Sequence, residues 1–144
     1  MSPRVAAPDA LDTARLGDYL ARLSRSLRRE VSLPLGASTL GVLATLQEQG
    51  RVRLGDLARH EGVTPATLSR IVAVLEDEGY AARDVDDTDR RSAFLRITPA
   101  GTRLIAQVRA QRARVIQARA RGLTPEQRAA LADALDALEA LASD

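Results

Sequence analysis

Apolar residues recur at three- and four-residue spacing over 9–32, where Leu16, Leu20, Leu23, Leu27 and Val31 form one stripe and Arg15, Arg22 and Arg29 lie opposite. This is the pattern of an amphipathic helix of about six turns. Pro34 and Gly36 then break the chain, and Ser38 or Thr39 is placed to cap a second helix carrying Leu40, Leu43, Ala44 and Leu46 as far as Gly50. A short extended piece over 51–54 leads into a short helix over 54–61 that ends at Gly62. Thr64 and Pro65 open the next helix, the threonine as its cap and the proline at the first helical position, where a missing N–H costs nothing. Leu68, Ile71, Val72 and Leu75, at i, i+3, i+4 and i+7, mark its buried stripe, and the helix ends near Gly79.

The period then changes. Residues 80–85 and 93–97 read as two extended pieces joined by the polar run Asp86-Asp87-Thr88-Asp89-Arg90-Arg91-Ser92. Ala93, Leu95 and Ile97 alternate with Phe94 and Arg96, as a half-buried strand requires. A β-hairpin with a charged tip follows from this pattern. Thr98 and Pro99 restart a helix that runs to Arg121 with Leu104, Ile105, Val108, Val115 and Ile116 on one stripe, and Gly122 ends it. Thr124-Pro125-Glu126-Gln127 is a capping box that starts one last helix, with Leu131, Leu135, Leu138 and Leu141 as its stripe. No internal repeat interrupts this order.

The two short helices around Gly62 carry more than an ordinary helical hairpin needs. Ala58 is small where the two helices must touch, Gly62 follows at the turn, and Val63, Leu68 and Ile71 fill the interior, which is the residue economy of a helix-turn-helix. The outward face of the second helix consists of Ala66, Ser69, Arg70 and Ala73, with Thr67 at its margin. Small side chains let a helix enter the major groove closely, while Ser, Thr and Arg supply hydrogen bonds to base edges and phosphates. The alternative is that Arg70 is a solvated surface arginine. The hairpin beyond offers Arg90 and Arg91 at its tip, suited to a narrow minor groove. Asp84, Asp86, Asp87 and Asp89 surround them, and Asp89 is placed to orient Arg91; alternatively the run is a solvated turn.

Charge sharpens the picture. The 144 residues carry 21 basic and 19 acidic side chains, a formal charge of +2, yet the isoelectric point lies near 9.9. All the cations are arginine, and with neither lysine nor cysteine the small positive charge persists far up the pH scale, so the isoelectric point exaggerates the basicity. Arginine enrichment without lysine is also what GC-rich coding produces. Residues 51–103 hold nine arginines and nine acids, 104–121 five arginines and no acid, and 122–144 one arginine and five acids. A basic helix followed by an acidic one suggests pairing between them, within or between chains.

Composition removes several classes. Without cysteine there are no disulfides, thiolate metal sites or cysteine nucleophiles, and His60, the single histidine, has no second histidine with which to share a metal. His60 is expected as an exposed helix residue, and no metal or cofactor is expected. No nucleophile constellation or glycine-rich phosphate loop supports an enzyme. No apolar run reaches a membrane-spanning length and 1–8 has no signal-peptide core, so a soluble cytoplasmic chain is expected. The fold class expected is mainly α with a small β-wing, as a winged helix-turn-helix domain with N- and C-terminal dimerisation helices.

The stretch 64–79 followed by Asp89-Arg90-Arg91-Ser92-Ala93-Phe94-Leu95-Arg96-Ile97-Thr98-Pro99-Ala100-Gly101 resembles the MarR family of transcriptional regulators. That family's wing carries Asp-x-Arg and ends in a Leu-x-Leu-Thr-like segment; here the end is Leu95-Arg96-Ile97-Thr98, with isoleucine at the second apolar position. The likeness covers about 9–141. It implies a single domain over 1–144, with a winged DNA-binding lobe at 37–98 and dimerisation helices at 9–33 and 99–142. It further implies an obligate homodimer on double-stranded DNA, at a pseudo-palindromic operator, acting as a repressor. The family's recognition-helix contacts fall on Thr64, Ala66, Thr67, Ser69 and Arg70, and its minor-groove arginine on Arg91. A winged-helix protein-interaction module without specific DNA binding is the alternative.

The leucine stripes of the first and last helices favour a dimer independently, because a chain of this size has no second core to cover them. Arg112 and Arg119 fall on or beside the apolar stripe of the basic helix, whereas Arg109, Arg114 and Arg121 point elsewhere. A guanidinium near a buried face needs a partner. The resemblance implies a small aromatic or anionic effector, for which Arg112 and Tyr19 are the candidates; the alternative for Arg112 is a structural ion pair.

Overall fold

A computed structural model describes residues 11–31, 33–85 and 93–143. The chain divides into two compact units, Met1–Ser32 and Leu33–Asp144.

The first unit holds α1 (Thr13–Glu30), capped by Asp12, whose carboxylate accepts from the Arg15 backbone N–H at 2.9 Å. At 18 residues the helix is one turn shorter than the apolar spacing suggests, because the Asp12 cap sets its start after residue 9, which lies outside the described residues. Leu20 and Leu23 of the stripe are exposed, as is Tyr19, whose ring lies within 5.4 Å of the Arg15 guanidinium.

The second unit begins with α2 (Ala37–Gln49), which is followed by β1 (Val52–Arg53), α3 (Leu54–His60) and α4 (Pro65–Asp77). The strands β2 (Ala81–Val85) and β3 (Ala93–Ile97) come next, then α5 (Pro99–Ala120), α6 (Pro125–Asp133) and α7 (Leu135–Ala142). Leu43, Leu46, Leu57, Val72, Leu75 and Leu95 are fully buried in one cluster, which also takes in Leu104, Ile105 and Val108 of α5. The first half of α5 is thus part of the core. Farther along, Val115 is half-buried and Ile116 exposed.

Three local features differ from the sequence pattern. The second helix starts at Ala37 with Gly36 as its cap and no side-chain cap, so Ser38 and Thr39 lie in its first turn. The short extended piece is an edge strand: β1 pairs antiparallel with β3, Val52 opposite Leu95, and the sheet order is β1-β3-β2. The last helix is two helices, interrupted at Ala134, where ψ is −6° and the N–H is shared between the Ala130 and Ala132 carbonyls. The Thr124 capping box is formed, with Thr124 and Gln127 each accepting from the other's backbone N–H at 3.2 and 3.0 Å.

The turn between α3 and α4 needs glycine. Gly62 has φ +62°, and no atom outside its neighbours lies within 4 Å of where a Cβ would stand, so substitution strains the backbone without a clash. Gly62→Ala is expected to lower stability by about 1 kcal/mol, read as a shift of the urea midpoint. Gly55→Ala, at an open position within α3, is expected to leave the midpoint unchanged or raise it.

Candidate nucleic-acid interface

The helix-turn-helix is built from α3 and α4. Val63 N–H donates to the Ala58 carbonyl at 3.0 Å and closes the turn, and Ala58 itself is buried where the helices meet. Thr64 caps α4 as its position predicts: its hydroxyl accepts from the Thr67 N–H at 3.2 Å and donates to the Thr67 hydroxyl at 3.0 Å. The Thr67 hydroxyl keeps its own proton for an outside acceptor. Leu68, Ile71, Val72 and Leu75 are buried, while Ala66, Thr67, Ser69, Arg70 and Ala73 are all exposed, which is the division expected of a recognition helix.

Electrostatics give this face a direction. Residues 64–73 carry one arginine and no acid, whereas Glu76, Asp77 and Glu78 crowd the C-terminal end of α4. A helix N-terminus attracts anions through its dipole and free N–H groups, and the acids reinforce that polarity. Only the N-terminal half of α4 suits a phosphate-rich partner. Among the described residues Arg70 pairs with no carboxylate, whereas Arg51, Arg83, Arg96 and Arg109 each have one within 4 Å and Arg59 is paired with Asp56. Arg83, for instance, holds Glu76 at 3.0 Å.

The wing base is tied across all three strands. Asp84 of β2 accepts from Arg96 of β3 at 3.0 Å and lies 3.8 Å from Arg51, just before β1. Phe94 of β3 lies under two guanidinium groups, with Arg51 at 3.9 Å and Arg53 at 5.0 Å from the ring centroid. Asp84 is therefore engaged at the base of the hairpin. Asp86, Asp87, Asp89, Arg90 and Arg91 lie outside the described residues.

A further tie escapes the sequence pattern. Thr45 of α2 donates to the Glu61 carboxylate at the end of α3, and a Cβ on Gly41 would stand 3.1 Å from the same carboxylate. Gly41 leaves the space in which Glu61 anchors the helix-turn-helix to α2. Neither the glycine nor the glutamate has a periodic signal that marks this.

Arg112 is exposed on α5, and Tyr19 is exposed on α1 with its hydroxyl accepting from Arg15 Nε at 3.2 Å. Arg109 lies 3.8 Å from Glu48 of α2, a pairing that the spacing along α5 did not suggest. His60 is exposed in the last turn of α3, as expected. No group of three or more histidines or acids among the described residues is placed to hold a metal, and no described helix is long and apolar enough to cross a membrane.

A three-helix lobe with a three-stranded antiparallel sheet and an exposed, acid-free helix start is a winged helix-turn-helix. The MarR family model matches residues 37–93. An uncharacterised HTH-type transcriptional regulator of Mycobacterium bovis, Mb0904, is 32% identical over 137 residues, covering 94% of this chain and 96% of its own. The HTH-type transcriptional repressor Rv2887 of Mycobacterium tuberculosis is 37% identical over 128 residues, covering 81% and 88%. Among solved structures, a putative transcriptional regulator of Pseudomonas aeruginosa superposes with a TM-score of 0.78 at 28% identity, covering 90% of this chain and 93% of its own. The chain belongs to the MarR family of helix-turn-helix transcriptional regulators and is not an enzyme.

Proposed function

We propose that this chain is a sequence-specific DNA-binding repressor that acts as a homodimer on a pseudo-palindromic operator. The observation that carries this is the outward face of α4, where Arg70, exposed among Ala66, Thr67, Ser69 and Ala73, pairs with no carboxylate among the described residues. A guanidinium held by a neighbouring acid must break that pair to reach a base; among the described residues Arg70 has none to break. Each α4 would enter one major groove, with Arg70 read against a guanine and Thr64, Thr67 and Ser69 against bases or phosphates. Arg91, oriented by Asp89, would reach the neighbouring minor groove, with Arg90 beside it.

The homodimer is supported by apolar surface that one copy leaves open. Leu131, Leu135 and Leu141 are 53%, 62% and 62% exposed, and Leu20 and Leu23 of α1 are exposed as well. Burying leucine side chains between copies is the ordinary way to remove such stripes from water. Two half-sites about 10 base pairs apart would match two α4 helices related by a twofold axis. Release by a small aromatic or anionic effector completes the proposal, with Arg112 and Tyr19 each a candidate contact in its own unit.

Selection from a random-sequence duplex library tests the DNA reading. The protein is expected to enrich an inverted repeat, and binding to the enriched duplex should weaken steeply as salt rises. Enrichment of no sequence, with the protein instead retained by basic polypeptides through its acidic segments, would favour the interaction-module alternative. Arg91→Ala is expected to weaken the enriched duplex by about tenfold, the scale of one charged hydrogen bond, with dimer and melting temperature unchanged. Unchanged affinity would remove the wing from the contact surface.

A further inference from the structure

The C-terminal end of α4 and the first turn of α5 form one hydrogen-bonded joint. The helix α4 closes in a Schellman motif: Gly79, at φ +73°, sends its N–H to the Glu76 carbonyl at 3.0 Å, and the Tyr80 N–H reaches the Leu75 carbonyl at 2.8 Å. The carbonyls of those same two residues are taken by Thr98. Its hydroxyl donates to the Gly79 carbonyl at 2.6 Å, and its backbone N–H donates to the Tyr80 carbonyl at 3.0 Å. The hydroxyl also accepts from the Gly101 N–H at 3.2 Å and so caps α5. One side chain therefore finishes one helix and starts another, 19 residues away in sequence.

Gly101 keeps this joint tight. A Cβ there would stand 2.2 Å from the Tyr80 carbonyl oxygen and 2.8 Å from Ile97 Cγ1. The first of these is backbone, which cannot swing aside. Only glycine lets the first turn of α5 lie this close to the end of α4, and Leu104, Ile105 and Val108 then anchor the following turns in the core.

We propose that Thr98 and Gly101 are positioning residues for DNA reading: they lock the end of the recognition helix to α5, so that the direction of α4 is set by α5. This rests on the DNA-binding reading given above. A shift of the first turn of α5 would carry the end of α4 with it, since Thr98 holds the carbonyls of both Gly79 and Tyr80. A cap serving stability alone would need only the bond from Gly101; the second bond, to Gly79, is what passes orientation from one helix to the other.

The two roles separate by substitution. Thr98→Ser keeps both bonds. Thr98→Asp keeps an acceptor for the Gly101 N–H, and aspartate is as good an N-cap as threonine or better, but the carboxylate has no proton for the Gly79 carbonyl. The readout is the ratio of affinities for the enriched duplex and a scrambled duplex of the same composition, taken well below the melting temperature. The added negative charge weakens both duplexes together and cancels in that ratio. The ratio is expected to fall about tenfold in Thr98→Asp, with folded fraction and oligomeric state unchanged, and to stay within about twofold of the parent in Thr98→Ser. Gly101→Ala, which opens the joint from the other side, is expected to lower the ratio similarly. A parental ratio in folded Thr98→Asp, or in folded Gly101→Ala if the first variant does not fold, overturns the proposal. A ratio near one in the unsubstituted protein would instead refute the DNA reading itself.

Discussion

Leu75→Ala is expected to destabilise the winged lobe by about 2–5 kcal/mol. Leu75 lies on the inner face of α4 and is fully buried, in one cluster with Leu43, Leu46, Leu57 and Leu95. Truncation removes the transfer energy of the lost methyl groups and leaves a cavity that helices fixed at both ends cannot close. Because a domain of this size has a total stability of only about 5–15 kcal/mol, the loss is a large fraction of it. Urea unfolding followed by circular dichroism at fixed protein concentration measures it, the concentration mattering because dimerisation would contribute to the midpoint. Val74→Ala is the matched control: Val74 is the preceding residue but 43% exposed, and its truncation should cost no more than about 0.5 kcal/mol. Equal losses at 74 and 75 would contradict the inward and outward assignment of α4.

Arg70→Ala is expected to act in the opposite manner, on binding and not on stability. The side chain is exposed and pairs with no carboxylate among the described residues, so its removal should leave the urea midpoint in place. If the guanidinium is bidentate to a guanine, affinity for the enriched duplex falls by about 1–3 kcal/mol, roughly 5- to 150-fold. Affinity for scrambled duplex should barely change. The preference at one base pair should relax in each half-site while the salt dependence stays close to that of the parent. Arg70→Lys should not restore the preference, because an ammonium cannot bridge two acceptors of one base edge in a plane. An equal loss on both duplexes would make Arg70 a phosphate contact.

Much of the lobe is legible in the sequence because its signals are local. Thr64 and Pro65 begin α4, Gly62 and Gly79 take the positive φ angles that end helices, and the four apolar positions of α4 are its buried ones. What escapes the pattern is long-range or without local preference. The two-residue strand β1 is too short to show a period, and its partner β3 lies some forty residues on. The break at Ala134 falls on a good helix former, so composition offers no sign of it. Gly36 caps α2 without a side chain, against the usual preference for Ser or Thr.

The site divides along the same line. The exposed face of α4 follows from helical spacing alone. The stacking of Arg51 and Arg53 on Phe94, the engagement of Asp84 with Arg96 and Arg51, and the bond from Thr98 to Gly79 each join residues distant in sequence. Thr98 reads in the sequence as a helix cap, which it is; that its hydroxyl also holds the end of α4 depends on a closeness only the fold creates. The arginines follow this too. Their number alone is equally what GC-rich coding produces; several on the lobe are committed to acids or to Phe94, and the one on α4, which pairs with no acid among the described residues, matters more than the total.

The most direct measurement is a competition titration of the intact protein, at physiological salt, between the duplex enriched from the random library and a scrambled duplex of identical composition. A protein that reads sequence through the outward face of α4 should prefer the enriched duplex by at least about a thousandfold, with the preference reduced by Arg70→Ala. A preference below about tenfold, unaffected by Arg70→Ala, would contradict it.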